Sequence, residues 1–151
     1  MPNLFPSGSG APDGKANETT NGAVRFGRSW RFDYERGDFV VTPTGKIAGS
    51  AETDAWIEWC KKALRTERYT YLAYSRNYGQ EFDGLIARNL PRTANESEIV
   101  RIATETLKTD PRTGSVGGFS FTWEGDRCSF QCEVTSVRGQ KTTIDGSVVT
   151  A

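Results

Sequence analysis

The chain has 151 residues, with 19 basic against 19 acidic side chains and no histidine. That length fits one domain whose core needs no metal or disulfide staple. The balanced charge leaves no net field to gather phosphate backbones or an anionic membrane surface, so neither nucleic acid nor membrane is an expected partner. No run of consecutive Lys and Arg exceeds Lys61-Lys62, and the longest apolar stretches are only a few residues, too short to span a bilayer. The start, Met1-Pro2-Asn3-Leu4-Phe5-Pro6, has no basic residue followed by an apolar run and does not read as a signal peptide.

Residues 7 to 28 are rich in Gly, Ser, Asn, Thr and Pro without apolar periodicity, so burial cannot repay the entropy of ordering them. Residues 1–28 are therefore expected to form a flexible N-terminal arm. Two roles fit it: a tail of no consequence, which the composition favours, or a strap that orders on a neighbouring subunit through Leu4 and Phe5. From Ser29 to Tyr34 the pattern alternates, with Trp30, Phe32 and Tyr34 on one side, as in a half-buried strand. Phe39-Val40-Val41 and Lys46-Ile47-Ala48 flank Thr42-Pro43-Thr44-Gly45, a turn sequence that predicts a small hairpin.

A first helix is expected to begin near Thr53, with Asp54 beside the positive end of its dipole and Trp56, Ile57, Cys60, Ala63 and Leu64 as its apolar stripe. Tyr69 to Tyr74 alternate as a short strand covered on both faces would. Phe82, Leu85 and Ile86 predict a short helix weakened by Gly84. In a longer helix Thr93 and Glu96 have capping-box spacing, Ile99, Ile102, Ala103, Thr106 and Leu107 form the inward stripe, and Pro111 ends it by Asp110.

In the last third the period changes to two. Phe119, Phe121 and Trp123, then Cys128, Phe130, Cys132 and Val134, predict a hairpin with one apolar face turning at Gly125-Asp126. Gly117-Gly118 suits a bulge or bend, and residues 140 to 149 suit a further strand interrupted at Asp145-Gly146. These elements predict an α+β fold: a single domain over residues 29–151, a mainly antiparallel sheet with two main helices packed on it.

Chemistry finds little to work with. Without histidine there is no ordinary serine or cysteine triad and no HExxH zinc site, and Cys128 and Cys132 on one strand face lie roughly 13 Å apart, too far for a disulfide. The three cysteines are expected to be small buried apolar residues, and no cofactor or metal is expected. The economical catalytic alternative is a small cell-wall glycosidase using a carboxylate pair drawn from Glu67, Glu81 and Asp83, one of them desolvated, but nothing in their spacing demands it. The expectation is a protein that is not an enzyme. Tyrosine and arginine, by contrast, are the residue types that anchor protein interfaces. Tyr69 and Tyr71 are assigned to the core here, and Arg68, Arg76, Tyr78 and Arg112 to an interface.

Three stretches carry a family resemblance: Thr66-Glu67-Arg68, Arg76-Asn77-Tyr78-Gly79, and Asp110-Pro111-Arg112 after the second long helix. Together with Trp56-Ile57-Glu58-Trp59-Cys60-Lys61-Lys62-Ala63-Leu64, they resemble the XkdS-type baseplate proteins of phage and phage-like contractile tails. That family is itself similar to the wedge subunits that start sheath polymerisation. The likeness covers roughly residues 29 to 150. Here Asp110 replaces the family's glutamate, the second stretch lacks its glycine, and Tyr78 replaces phenylalanine. The resemblance implies a baseplate subunit that links wedge proteins to the tail sheath subunit and templates the first sheath ring, with tube or hub proteins as further candidates. It implies assembly in the bacterial cytoplasm and then residence in the tail particle. It makes Arg68, Arg76, Tyr78, Asp110, Pro111 and Arg112 the partner-binding residues. Physically, Pro111 ends the helix rigidly, so Arg112 is expected to project with its guanidinium fork available.

Overall fold

The period-two alternation at the C-terminus builds the main sheet. In a computed structural model describing residues 23–150, β5 (Thr113–Glu124), β6 (Arg127–Ser136) and β7 (Lys141–Val149) form one antiparallel sheet in the order β5-β6-β7. Cys128, Phe130, Cys132 and Val134 of β6 and Ile144 and Val148 of β7 point to the buried face. Phe121 pairs with Phe130 and Trp123 with Cys128, as the parity of the sequence requires. The expected irregularity at Gly117-Gly118 is present: the register shifts between Gly117 and Ser120, and Gly118 takes φ +59°. β7, however, runs through Asp145-Gly146 without interruption. Gly146 sits opposite Phe130, and a Cβ built on it would fall 2.5 Å from Phe130 Cζ, so the absent side chain leaves room for the ring instead of breaking the strand.

Two helices close the buried face. α1 (Glu52–Arg65) starts one residue before the expected Thr53 and buries Trp56, Cys60, Ala63 and Leu64, with Ile57 half-buried at the margin. α3 (Arg92–Lys108) buries Ile99, Ile102, Ala103, Thr106 and Leu107, the whole predicted stripe. α3 lies against β5 and α1, while α1 also reaches β7 and the small N-terminal strands. The short α2 (Gly84–Arg88) adds Leu85 to the core, and the Phe82 ring meets Phe130 edge-on at 5.6 Å. Ile86 stays exposed. The capping box does not form. Pro91 precedes the first helical residue, Thr93 lies inside the first turn, and Glu96 Oε1 accepts instead from Trp123 Nε1 at 2.8 Å.

The predicted first strand is broken. β1 (Arg28–Trp30) pairs with β4 (Gly49–Ala51), whereas β2 (Phe32–Asp33) pairs with β3 (Asp38–Phe39). Arg31 joins them, donating its amide to Ala48 O and accepting from Val40 N. Trp30 is thereby exposed, while Phe32 and Tyr34 are half-buried. The predicted hairpin around Pro43-Thr44 forms, with Val41 bridging Ile47 and Thr42 N donating to Lys46 O at 2.7 Å. Of the arm expected over residues 1–28, residues 1–22 lie outside the described residues; Phe26 is 2% exposed and meets Trp56 edge-on.

All three cysteines are free and buried, as expected. Burial pushes the Cys60 thiol up to about 12 and the Cys132 thiol up to about 11.

Candidate functional site

The segment expected to be a covered strand, Tyr69 to Tyr74, is the point at which structure and sequence part most sharply. It is an exposed loop. Its ends are closed where Glu67 bridges Gln80: Arg68 N donates to Gln80 O at 2.8 Å and Gln80 N to Thr66 O at 2.9 Å. Gly79 allows this approach, at φ +102° and with a Cβ position only 2.7 Å from Thr66 O, where any side chain would collide with main chain. Arg68 then ties the loop across its width, Nε donating to Arg76 O at 2.7 Å and Nη1 pairing with Glu81 Oε1 at 3.3 Å. Tyr69 stands at φ +68°, an uncommon backbone for an aromatic residue, with the Arg68 guanidinium 5.0 Å from its ring centre.

This closure inverts the expected roles. Tyr69 and Tyr71, assigned to the core, are exposed, as are Leu72 and Tyr74. Alternation failed as a guide because a strand needs a ladder, and residues 69–74 pair with no strand; the pairing beside them is the isolated Glu67–Gln80 bridge. Arg68 and Tyr78, assigned to the interface, serve the inside of the loop. Tyr78 packs edge-on to Trp59 at 5.7 Å and against Tyr74 at 4.6 Å, and burial raises its hydroxyl pKa. Arg76 alone of this group is exposed without an ion-pair partner among the described residues.

The Asp110-Pro111-Arg112 exit departs from expectation as well. Its fork is occupied rather than available. Arg112 Nε lies 2.9 and 3.0 Å from the two Asp110 oxygens, and Nη1 donates to Phe26 O at 2.6 Å. The side chains are only 15% and 5% exposed, so this is a nearly buried pair that holds residue 26 against the core. Arg138 adds a second clamp, stacking 4.0 Å from the Phe26 ring centre and pairing with Glu52. No local pattern signals this pairing, in which Arg112 reaches a carbonyl 86 residues away in the chain.

Carboxylate catalysis finds no support here. Glu67, Glu81 and Asp83 are all exposed, and Glu81 is engaged by Arg68, so none is the desolvated acid that the chemistry needs. Among the described residues no cluster of three Cys, Asp or Glu is placed to hold a metal, and no helix is long and apolar enough to cross a membrane.

Residues 28–139 match the family model of the contractile injection system sheath initiator. The chain belongs to the sheath-initiator family. As such it is a sheath initiator of a contractile injection system. This sheath initiator is 28% identical over 110 residues to the phage-like element PBSX protein XkdS of Bacillus subtilis (strain 168), covering 72% of this chain and 74% of that one. Its fold is similar to a chain in the cryo-EM structure of the anti-feeding prophage (AFP) baseplate, 6-fold symmetrised. There the TM-score is 0.50 at 13% identity, covering 83% of this chain and 86% of the other. In the sheath initiator the three resembling stretches occupy two places: Glu67-Arg68 and Arg76 to Gly79 close the aromatic loop, and Asp110 to Arg112 closes the Phe26 segment.

Proposed function

We propose that this chain is a non-enzymatic baseplate subunit that joins wedge proteins to the sheath and templates the first sheath ring, residing in the finished tail particle. One observation carries the proposal beyond family membership: β5 and β7 are both edges of the main sheet, and no further strand pairs with either among the described residues. An open edge offers main-chain donors and acceptors to an added strand, giving affinity without special side chains. The helices pack on the face that carries Phe130 and Ile144, so a strand arriving at the edge of β7 or β5 extends the sheet in its own plane. The wedge contact falls to the face bearing the aromatic loop and Arg76. Arg68, Tyr78, Asp110, Pro111 and Arg112 contribute by fixing the shape of the surface presented.

Electron microscopy of particles from cells lacking the gene tests this. Bare tubes or absent baseplates, restored by the intact gene, are expected; normal sheathed tails in the deletion strain would refute the role.

A further inference from the structure

We propose that the loop from Tyr69 to Tyr78 is a preformed plug that inserts Leu72 and its flanking tyrosines into an apolar pocket rimmed by carboxylates on a different baseplate protein. The inference rests on the role proposed above, which supplies such neighbours, and it names one surface and the chemistry of its partner.

Three observations converge. Tyr69, Tyr71, Leu72 and Tyr74 expose large apolar area within six residues, three of them aromatic, whereas the second exposed apolar group of the described residues, Phe39, Val40, Val41 and Ile47, holds one aromatic ring. Exposed aromatic area of that density marks a contact site. The loop is also rigid for its exposure: Gly79, the Arg68 clamp and the Tyr71–Tyr74 and Tyr74–Tyr78 ring contacts fix it before any partner arrives. Preorganisation of this kind removes much of the ordering cost of binding. Tyr69 at φ +68° is a strained backbone held by its surroundings, a conformation that gathers at functional segments.

Charge selects the occupant. Between Arg68 and Gln80 there is no acidic residue, Glu81 beside the loop base is taken by Arg68, and Arg76 has no ion-pair partner among the described residues, so the complement is apolar and acidic. One free cation does not hold a polyphosphate chain, whose binding grows with the number of phosphates neutralised. A second copy of this chain is a poor complement too. Its exposed apolar depression at Phe39, Val40 and Val41 includes Arg36, which would oppose Arg76, and its Asp33 and Asp38 already accept backbone hydrogen bonds.

The test is photo-crosslinking in assembled particles, with benzoylphenylalanine at position 72 in the complemented deletion strain. Adducts are expected on one other baseplate protein, at a peptide carrying apolar and acidic residues. Leu72→Asp should lower incorporation of the chain about thirtyfold, as loss of a central anchor does. Arg76→Glu should lower it about tenfold and be restored by an acid-to-lysine change in the cross-linked peptide. Both side chains are exposed, so unchanged urea midpoints of the isolated variants serve as the folding control. Adducts to a second copy, or incorporation unaffected by Leu72→Asp in particles that contain the chain, would overturn the plug alone. Flotation of the purified chain with phosphatidylglycerol vesicles, lost in Leu72→Asp, would overturn it in favour of a lipid surface. Absence of the chain from purified particles would remove the baseplate role and this inference together.

Discussion

Arg112 Nη1 donates to the carbonyl of Phe26 at 2.6 Å, across 86 residues of sequence, while the same guanidinium is held by Asp110. The helix exit therefore functions as a latch on the segment that leads into the first strand. Arg112→Ala leaves Asp110 nearly buried without its counter-charge and frees Phe26 O, and should cost about 3 kcal/mol. Urea denaturation measures this directly, and a midpoint equal to wild type would show that the arginine acts only towards a partner. Arg112→Lys should recover part of the loss, since an ammonium keeps the charge but cannot span Asp110 and Phe26 O as the planar fork does.

Gly79→Ala places a methyl group 2.7 Å from Thr66 O at φ +102°, where neither the backbone angle nor the neighbouring main chain can yield cheaply. A loss of about 1–3 kcal/mol is expected. It should be local first: hydrogen exchange at the Arg68 and Gln80 amides, which close the loop, should accelerate more than at the β6 amides. Uniform acceleration would mean that the loop base is part of the global fold.

Gly146→Ala is a different case, because the obstacle is a ring. The new Cβ would meet Phe130 Cζ at 2.5 Å and Cε1 at 2.7 Å, a packing clash worth about 1–3 kcal/mol. In a Phe130→Leu background the same change should cost at least about 1 kcal/mol less, a coupling that a double-mutant cycle resolves. Strictly additive effects would contradict the assigned contact.

Cys60 and Cys132 should resist alkylation in the native protein at pH 8 and react once urea unfolds it, because burial keeps both thiols protonated. The same shifts fix a pH dependence. An unfolded cysteine gives up its proton from about pH 9, whereas folded Cys60 keeps its own until about pH 12. The folded state thus binds more protons between those values, so unfolding free energy should fall as pH rises through that window and be unaffected by these groups below it. A Cys60→Ala variant with an undiminished alkaline decline would assign the loss elsewhere.

Local pattern was enough wherever one face of an element meets one environment. The stripe of α3, the stripe of α1 and the alternation of β6 place Ile99, Trp56 and Phe130 inside whatever the rest of the chain does, because a period of 3.6 or 2 fixes which side chains share a face. The sheath-initiator resemblance also lay in the sequence, carried by short stretches from Thr66 to Arg112. What the sequence could not decide was the direction in which the arginines and tyrosines point. Alternation at Tyr69 to Tyr74 looked like a strand, yet strand formation depends on a neighbouring ladder, and closure by Gly79 and Arg68 turned those tyrosines outward. An arginine after a proline looked free, yet its electrostatics depended on a carbonyl contributed by Phe26 from the other end of the domain. Periodicity reports the burial of a regular element; the partners of a loop aromatic or an ion-paired fork are set by non-local contacts, which only the folded chain brings within reach.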